Sequence, residues 1–567
     1  MKFIKFIIVI LATIVLGLGS FTPLAQAHNY KDVDYTYWAY NDINFLSSFN
    51  VITGFKGGEF KPGLTIKRKD AAVMMVRALE KTELGDQEVV VKDMLPTSPG
   101  YKEVEMALSR GWFSTFEGKF LPDGNLTRNE MARALATAFG YNGNGTSSFV
   151  DVSRDNPYYE YIDAILYHEV TEGYKDKTFR PLEQVTRAQF SAFLSRVFHQ
   201  PIAYEIKVNG EVVETVQSLD TAIYLAGNYE GSSIHPASHK YMSFSQEVAN
   251  ADKTGIKAGV LIYNGLGEND TFTPSFFDPY LSYKTQEDKE QSMFDTFVIL
   301  ALRYDGGQFS ETAQNKANYA EYEWILNRTF ADDGALNNLN TAAKAKGQKA
   351  DIYITIPYPK RTEDFIALDG SEIANDVYAR YDIGKWYIDR VLNKMQSSQF
   401  DNLNLKGFYW MNETVKVTED EVLISTLSNY IRNKGKFFIY APHATSTNFR
   451  KWKSYGFDAA FLQPNAFRTN ITNKEERLHR AFVNAQIYGA GITMEIDSYG
   501  TEAQALQGAE AFEMYMDFAK RYNLSEKGMM FYQDRNMVYR MATFNYPVYQ
   551  NFYKQLTDTF FPFSIEE

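Results

Sequence analysis

The sequence predicts a multidomain chain in which all-α repeats precede a small α+β module and an α/β barrel of the TIM-like (β/α)8 type. Three observations indicate this fold class. A chain of 567 residues is too long for a single hydrophobic core. A Phe-x-Pro pattern recurs three times before residue 200, and eight short apolar runs alternate with helical stretches after residue 255.

The N-terminus has the pattern of a secretory signal peptide. Lys2 and Lys5 precede an apolar run over 6–18, and the small residues of 25–27 form a cleavage site. We expect an exported protein that begins at His28 and retains no membrane helix, with an uncleaved signal anchor as the alternative. The predicted boundaries are 1–27 for the signal peptide, 28–84, 88–142 and 146–200 for three repeats, 203–245 for the module and 250–562 for the barrel.

Composition excludes several classes of function. The net charge of -12 argues against nucleic acid as a partner, since phosphate binding needs clustered Lys and Arg. The chain has no cysteine, which excludes disulfides and thiolate metal sites. Its seven histidines are scattered without metal-ligand spacing. We therefore predict no metal and no cofactor.

Three similar segments make up the front of the chain. Each has an Asp at its entry, a first helix, a loop, the Phe-x-Pro pattern and an amphipathic helix that starts near an Arg. The entry and helix-start residues are Asp32 and Arg68, Asp93 and Arg128, and Asp151 and Arg187.

These segments resemble S-layer homology (SLH) repeats, of which three copies are usual. The resemblance implies a pseudo-threefold helical unit whose grooves bind pyruvylated secondary cell-wall polysaccharide, and a bidentate guanidinium suits a pyruvate carboxylate. The implied wall-polymer-binding residues are Asp32, Trp38, Gly54, Arg68, Asp93, Arg128, Asp151, Gly173 and Arg187. The second repeat departs from the pattern, because Ser114 replaces the loop Gly and no Trp follows Asp93 at the spacing of the first repeat, so its groove is expected to be silent. The alternative for each Arg is a solvated charge at a helix start.

The resemblance and the signal peptide together imply secretion to the cell wall or S-layer of a Gram-positive-type bacterium. The module that follows contains two alternating strands around Asn209-Gly210, which is a strong hairpin signal. A Ser-capped helix and a short strand come next, and we interpret the module as a spacer or docking piece.

The barrel is predicted from near-continuous apolar runs, which are typical of parallel strands buried on both faces. The structural alternative is an open, doubly wound sheet. The eight runs are 256–265, 294–306, 350–360, 405–413, 436–443, 458–465, 489–499 and 528–536.

Polar and aromatic residues follow these runs, at the end of a barrel where active sites form. Aromatic rings that stack on sugars, together with amides and carboxylates, predict a glycan substrate. On β-strand alternation we expect Trp410, and not Tyr409, to point into the barrel mouth. The predicted substrate-binding residues are Tyr263, Tyr304, Asp305, Tyr358, Trp410, Asn412, Tyr440, His443, Gln463, Asn465, Asp497 and Gln533.

Glu413 ends the fourth run and Glu495 ends the seventh. Asn412-Glu413 with a second Glu at the seventh strand resembles the retaining (β/α)8 glycosidases. That resemblance implies Glu413 as the protonated acid/base, Glu495 as the nucleophile, and Asn412 as the residue that holds the substrate 2-hydroxyl. Retention further requires carboxyl groups about 5–5.5 Å apart.

The same region resembles the family named domain of unknown function 4855, through GFYWMNE, FLQPN and MEID, and that name supplies no mechanism. Two function classes stay open: a wall-anchored glycoside hydrolase, and a non-catalytic S-layer-associated protein that binds glycan or packs in a lattice.

Overall fold

The computed structural model describes 30–34, 37–79, 83–168, 170–201, 203–237, 254–265, 272–285, 287–468, 470–497, 501–526 and 528–561. The predicted signal peptide, the end of the module and the first residues of the predicted barrel segment lie outside the described residues. None of the described helices combines the length and apolar character that crossing a membrane requires. The chain divides into two compact units, one up to Gln200 and one from Pro201 onward.

The first unit is helical, as predicted. Each repeat contributes one short and one longer helix, and the longer helices begin at the matching arginines. A Thr N-cap precedes the second and third of these helices, whereas Lys67 precedes the first without a side-chain cap. Thr127 with Glu130 and Thr186 with Gln189 form capping boxes. The helices are α1 (Tyr40–Ser48), α2 (Arg68–Ala78), α3 (Tyr101–Ser109), α4 (Arg128–Phe139), α5 (Tyr159–Tyr167) and α6 (Arg187–Phe198).

A closed ring of backbone hydrogen bonds joins the three repeats. Ile66 N donates to Val185 O, Val185 N donates to Leu126 O, and Leu126 N donates to Ile66 O, at 2.9, 2.9 and 3.0 Å. Each repeat therefore donates to one neighbour and accepts from the other. The Phe residues of the three Phe-x-Pro patterns are fully buried beside this ring. The pseudo-threefold unit is confirmed.

The second unit contains the module and the barrel. In chain order its elements are β1 (Tyr204–Val208), β2 (Glu211–Val216), α7 (Leu219–Ala226), β3 (Ser233–Pro236), β4 (Ala258–Asn264), α8 (Pro274–Leu281), β5 (Ser282–Lys284), β6 (Glu290–Ser292), β7 (Thr296–Ala301), β8 (Arg303–Tyr304), β9 (Gly307–Gln308), α9 (Tyr319–Phe330), α10 (Ala335–Ala345), β10 (Ala350–Ile356), β11 (Phe365–Ile366), β12 (Glu372–Ile373), α11 (Val377–Ser397), β13 (Leu403–Trp410), α12 (Thr418–Asn433), β14 (Phe437–Tyr440), β15 (Ala459–Leu462), α13 (Lys474–Tyr488), β16 (Gly491–Glu495), α14 (Glu502–Arg521), β17 (Met529–Tyr532), α15 (Met537–Thr543) and α16 (Pro547–Phe560), with 3-10 turns at Thr447–Lys451 and Leu524–Glu526.

The module is a three-stranded antiparallel sheet in the order β2-β1-β3, with α7 capped by Ser218. Its apolar face shares a small core with α13, in which Ile206 and Ile234 pack with Val483. The Tyr522 hydroxyl accepts the Ile234 N–H at 2.9 Å. The module is therefore fastened to the barrel's outer helices and belongs to the same compact unit.

The eight predicted strands form a closed parallel barrel in the order β4-β7-β10-β13-β14-β15-β16-β17. Pairing of β17 with β4, Met529 opposite Ala258, closes the sheet. The open-sheet alternative is wrong for this reason, since its first and last strands would have stayed unpaired.

The fourth strand contains a β-bulge that decides which of its side chains face inward. Leu405 pairs with Ile352 and Gly407 pairs with Tyr353, so Lys406 is an extra residue without an opposite partner. Before the bulge Leu405 faces the outer helices, and after it Tyr409 faces the interior. Trp410 lies in the outer layer, 5.8 Å from the Tyr358 ring. The prediction that Trp410 points into the mouth is wrong, because the bulge reverses the alternation.

Candidate functional site

Glu413 and Glu495 lie at the same end of the barrel and influence each other electrostatically. Glu495 is the last residue of β16, and Glu413 follows the end of β13 by three residues. The negative charge of Glu413 contributes to raising the pKa of Glu495, after the larger effect of burial. It acts in the same direction on the pKa values of Tyr409 and Tyr532, which face the barrel interior. The Glu413 charge acts on the pKa of Tyr440 of the outer layer as well, so the carboxylate lies close to the strand ends of both layers.

The Glu413 side chain combines solvent exposure with dense surroundings. It is exposed to solvent, yet desolvation by the surrounding protein raises the pKa of its carboxyl, and hydrogen bonding from Gln463 and the charge of Arg468 oppose that rise. A group that water reaches while protein crowds around it lies in a concave surface. Glu413 is thus available to a ligand that enters the barrel mouth.

The backbone of Glu413 is held in place by the neighbouring strand end. The Tyr440 hydroxyl donates to Glu413 O at 2.9 Å, and the His443 N–H donates to the same oxygen at 3.2 Å. Tyr440 is fully buried, with its ring stacked on Phe457 at 4.6 Å. Tyr440 therefore positions the Glu413 backbone from the outer layer, and its role as a substrate-binding residue stays a prediction.

Glu495 is buried, with 1 % of its surface exposed. Its Oε2 accepts the Tyr515 hydroxyl at 2.5 Å and the Asn465 N–H at 2.6 Å. The Tyr515 hydroxyl in turn accepts the Ala466 N–H at 3.1 Å. The pKa of Glu495 is raised to about 8, because the effect of burial exceeds the lowering effect of the two hydrogen bonds.

The larger of the two pKa shifts therefore falls on Glu495, whereas the expected mechanism requires the proton on Glu413. Two neighbouring carboxyls share their protons, and the pair titrates as a unit. The raised pKa of Glu495, about 8, keeps a proton on this buried carboxyl at lower pH in the unliganded chain.

Tyrosine side chains form the interior surface below the two carboxylates. The Tyr263 hydroxyl donates to the Tyr532 hydroxyl at 3.0 Å, and the Phe467 ring lies 5.8 Å from the Tyr532 ring. Tyr409 completes this group. Of the predicted residues, Tyr263 therefore does lie at the inner end of the site.

Tyr358 and Gln533 are taken up by packing and by internal hydrogen bonds. Tyr358 is buried in the outer layer, and its hydroxyl donates to Asp420 at 3.1 Å. Gln533 is fully buried, accepts the Tyr280 hydroxyl and donates to Leu261 O, each at 3.0 Å. Both side chains help to hold the barrel together, and a role for them in substrate binding stays a prediction.

Asn412 is directed to a carboxylate that the sequence analysis missed. Its Nδ2 donates to Thr414 O at 2.8 Å and lies 3.5 Å from Glu311 Oε2. Glu311 also pairs with Lys416 and Arg361, each at 3.2 Å. Together these contacts lower the pKa of Glu311 against the opposing effect of burial. Glu311 therefore contacts Asn412 at the rim, and its lowered pKa favours the ionised carboxylate.

Gln463, Asn465 and His443 line the strand ends beside Glu413. Gln463 Nε2 donates to Ala441 O at 2.5 Å, and Asn465 adopts a left-handed φ of +53°, which aims its N–H at Glu495. His443 Nδ1 lies 2.7 Å from the Thr445 hydroxyl. Burial lowers the pKa of His443, and two nearby arginines add to this shift.

The remaining predicted residues lie on connecting segments. Tyr304 and Asp305 belong to the β8–β9 hairpin, where Tyr304 packs 5.0 Å from the Phe309 ring and Asp305 is exposed in the turn. Asp497 is half-buried two residues after Glu495. Among the described residues, no group of three or more His, Asp or Glu side chains has the arrangement of a metal site.

Sequence reasoning also missed Arg468 and Tyr515. Arg468 follows the FLQPN segment by three residues, and its charge acts on both Glu413 and Glu495. Tyr515 stands inside an amphipathic helix, where its pattern is that of any core residue. Its contact with Glu495 arises because α14 packs close to the end of β16, which the sequence alone does not show.

In the first unit, the three entry Asp residues hold the Phe-x-Pro turns. Asp32 accepts the Phe60 and Lys61 N–H groups, each at 2.7 Å, and Asp93 and Asp151 repeat this contact in their own repeats. These carboxylates therefore carry a structural role. Trp38, in contrast, is 59 % exposed and accessible to a ligand.

Gly54 and Gly173 are required by close packing. A Cβ at Gly54 would approach the Tyr30 ring to 2.5 Å, and one at Gly173 would approach the Phe149 ring to 2.2 Å. Gly173 also has a φ of +70°, which other residues rarely adopt. Both glycines shape their loops without offering a side chain.

The three matching arginines tie each repeat to the next and differ in what else they contact. The Nε of Arg68, Arg128 and Arg187 donates to the Phe-x-Pro carbonyl of a neighbouring repeat, at 2.9, 2.7 and 2.9 Å. Arg68 is further paired with Glu130 and donates to Ser114 O. Arg187 also donates to Thr53 O at 2.9 Å.

Arg128 has no such additional hydrogen bond within the described part of the chain. Its guanidinium lies over the Tyr174 ring at 4.9 Å, and Arg180 lies over the same ring at 3.8 Å. The groove between the second and third repeats is thus the one with two guanidinium groups beside one aromatic ring.

The fold and the site define a protein class in which a threefold helical unit precedes an eight-stranded barrel with two carboxylates at its mouth. The chain belongs to the family described as Domain of unknown function (DUF4855), whose model matches residues 258–558. The S-layer homology domain model matches residues 29–72, 92–132 and 148–191, so the front of the chain consists of three such domains.

Curated proteins with sequence similarity include several from bacterial surfaces. The Surface-layer 125 kDa protein of Lysinibacillus sphaericus is 25 % identical over 60 % of this chain and 28 % of its own length. An S-layer protein of Bacillus thuringiensis subsp. finitimus is 24 % identical over 45 % and 32 %. An Endoglucanase of Bacillus sp. (strain KSM-635) is 26 % identical over 38 % and 24 %. The chain thus spans about a quarter to a third of these relatives. The S-layer homology domains and the S-layer relatives indicate a location in the S-layer or cell wall.

Solved structures with a similar course of the chain include a GH113 β-1,4-mannanase, at 10 % identity and a TM-score of 0.33 over 53 % of this chain and 98 % of that one. A GH30 endoxylanase from Clostridium papyrosolvens C71 has 12 % identity and a TM-score of 0.30 over 54 % and 74 %. These scores support no inference about activity.

Proposed function

We propose that the barrel is a retaining glycoside hydrolase that acts on a surface or wall polysaccharide. The observation that carries the proposal is the pair Glu413 and Glu495, which sit at one barrel mouth, interact electrostatically, and lie above a tyrosine-lined interior. Cleavage of a glycosidic bond needs two carboxyl groups of this kind, one as acid/base and one as nucleophile.

Glu495 acts as the nucleophile in this proposal. Tyr515 and the Asn465 N–H both bind Oε2, which fixes the carboxyl plane and leaves Oε1 for attack on the anomeric carbon. Both donors stabilise the ionised form, so they favour release of the proton that burial retains. Glu413, which water reaches, protonates the leaving oxygen and later activates water.

The protonation state of the pair predicts a pH dependence. The productive state holds one proton, on Glu413, with Glu495 ionised. Since the pKa of Glu495 is raised to about 8, the free enzyme loses the last shared proton as the pH rises through that value. We expect kcat/KM to fall on the alkaline side of about 8, and the pH profile on a soluble polysaccharide measures it. A profile that stays flat to pH 10 would contradict a shared proton.

A nucleophile test separates the roles of the two carboxylates. In Glu413→Ala, aryl glycosides with good leaving groups should still form the glycosyl intermediate, because they need no acid. Hydrolysis of this intermediate should then be slow. Added azide should attack the intermediate faster than water does and yield a glycosyl azide of retained configuration. Glu419→Ala, an exposed residue of α12, is the matched control. An azide product of inverted configuration would contradict retention.

We propose further that the three S-layer homology domains bind a pyruvylated secondary cell-wall polysaccharide. The groove between the second and third repeats offers the strongest support, because the Arg128 guanidinium lies over the Tyr174 ring there and has no ion pair among the described residues. Arg180 lies over the same ring and is paired with Asp176 at 3.2 Å and Glu183 at 3.7 Å on the exposed side. In the groove of Arg68 the charge is already neutralised by Glu130. The groove that contains Ser114 is thus the one that we expect to be silent.

Wall binding by the full chain tests this assignment. Arg180 is exposed, so Arg180→Ala should leave the core intact. We expect the affinity for purified walls to fall about tenfold, which corresponds to the loss of one charge-assisted contact. Sedimentation with walls before and after removal of pyruvate ketals is the measurement. Arg154→Ala, another exposed arginine of the third repeat, should bind as the unmodified chain does, and equal losses in both variants would contradict the assignment.

A second candidate function is non-catalytic glycan binding at the cell surface. The observation that favours it is the burial of Glu495, whose Oε2 fastens the loop after β15 through Asn465 and Tyr515. On this hypothesis Glu495 is a structural acceptor. The two functions separate by the appearance of new reducing ends when the full chain is incubated with wall polysaccharides.

A further inference from the structure

Arg468 is an exposed cation at the barrel mouth that the two-carboxylate chemistry does not require. It follows β15 and lies over the Phe467 ring at 5.6 Å. Phe467 packs against Tyr532 of the interior surface, and Asn465, three residues before Arg468, donates to Glu495. Arg468 is therefore carried by the same short segment that holds the proposed nucleophile.

The surroundings of Arg468 leave its guanidinium available. Within the described residues it makes no hydrogen bond or ion pair, and its charge reaches Glu413, Glu495 and His443. Arg477 adds a second positive charge on the same side and lies 3.5 Å from Asn465 O through NH1. One side of the mouth is thus cationic, directly beside the two carboxylates.

This arrangement has a chemical consequence for the substrate. A neutral sugar offers the Arg468 guanidinium only uncharged hydroxyl acceptors, whereas a carboxylate is charged and can accept two parallel N–H groups from it. The phenylalanine beneath Arg468 limits the directions in which the guanidinium can turn, which favours a planar partner above the ring.

We propose that Arg468 binds a carboxylate on the glycan, so that the barrel selects acidic polysaccharide. The proposal rests on the proposed function for the position of the scissile bond, and it names the substrate class of that same site. The carboxylate belongs to a sugar acid of the chain or to a pyruvate ketal, and the experiment distinguishes these sources.

The test compares the full chain with Arg468→Gln on three forms of one purified wall polysaccharide. These are the native polymer, the polymer after mild acid removal of pyruvate ketals, and the polymer after reduction of all carboxyl groups to alcohols. Release of reducing ends gives kcat/KM for each. We expect Arg468→Gln to lose about 10- to 100-fold on the native polymer, which is one charge-assisted pair, and to match the unmodified chain on the reduced polymer.

The two carboxylate sources separate in the second arm. If the loss caused by Arg468→Gln persists after ketal removal, the carboxylate is a sugar acid, and if it disappears, the carboxylate is the ketal. An equal loss on the native and fully reduced polymers would overturn the proposal, because Arg468 would then act only on the ionisation of the glutamates. Arg390→Gln is the matched control, since Arg390 also lies over an aromatic ring, Trp386, at 5.1 Å.

A binding measurement keeps this inference separate from the proposed function. Saturation-transfer NMR of the full chain with a short uronate oligosaccharide, and with its carboxyl-reduced form, needs no turnover. Weaker binding of the uronate by Arg468→Gln, in a chain that cleaves no polysaccharide, would support the carboxylate site and contradict the hydrolase. Identical binding by both proteins would overturn the carboxylate site even if hydrolysis occurs.

Discussion

Glu495→Gln is expected to abolish polysaccharide hydrolysis, with a loss of at least about 10³-fold in kcat. The amide cannot form the glycosyl ester. The loss should extend to substrates with good leaving groups, in contrast to Glu413→Ala. Release of aryl groups and of reducing ends measures the effect. Undiminished turnover in Glu495→Gln would leave glycan binding as the function.

The same substitution has a control in protein stability. Gln keeps an oxygen that accepts from Tyr515 and Asn465, and it removes a carboxyl whose folded pKa, about 8, exceeds its ordinary value of 4.5. The folded state binds the extra proton, so ionisation of Glu495 destabilises it progressively as the pH rises from 4.5 to 8. We expect Glu495→Gln to have a higher Tm than the unmodified chain at pH 8 and an equal Tm at pH 4.5. Loss of activity with a lower Tm at both pH values would indicate misfolding.

Asp420→Ala is expected to destabilise the barrel by about 3–5 kcal/mol, the cost of leaving a buried charge without its partner. Arg380 NH2 lies 2.5 Å from Asp420 Oδ1, and both side chains are 2 % exposed. The Tyr358 hydroxyl would lose its acceptor as well. Urea denaturation followed by the barrel's tryptophan fluorescence measures the change.

Two companion variants make that result interpretable. Asp333→Ala breaks an exposed pair with Arg328 and should cost less than about 1 kcal/mol. Arg380→Met combined with Asp420→Leu removes both buried charges and should regain most of the loss. A double variant as unstable as Asp420→Ala would indicate that the cavity, and not the unpaired charge, causes the destabilisation.

The eight barrel strands could be predicted because parallel strands covered on both faces consist almost entirely of apolar residues. The direction of single side chains could not, because one extra residue reverses it. Leu405 and Trp410 both face outward only because Lys406 bulges between them. Gly407 marks this irregularity in the sequence, since a Cβ there would meet Phe437 O at 2.0 Å.

The candidate site was predictable as far as its strand-end carboxylates. A polar side chain near a strand end can either face the barrel mouth or form hydrogen bonds inside the protein, and the sequence does not distinguish these two cases. Tyr358 and Tyr440 supply hydroxyls to Asp420 and to the Glu413 backbone, and so they help to hold the barrel together. Arg468 and Tyr515 come close to the glutamates only in the folded chain, and no local sequence pattern predicts such a contact.

The ring of hydrogen bonds through Ile66, Leu126 and Val185 limits how the anchoring unit can evolve. Linear repeat proteins lengthen by duplication, because every added repeat stacks on an open end. Here each repeat already has both neighbours, so the unit offers no end to extend. A fourth copy would have to break the ring, and deletion of one copy would strand a donor in one repeat and an acceptor in another. The geometry of the closed ring therefore sets the number of repeats at three.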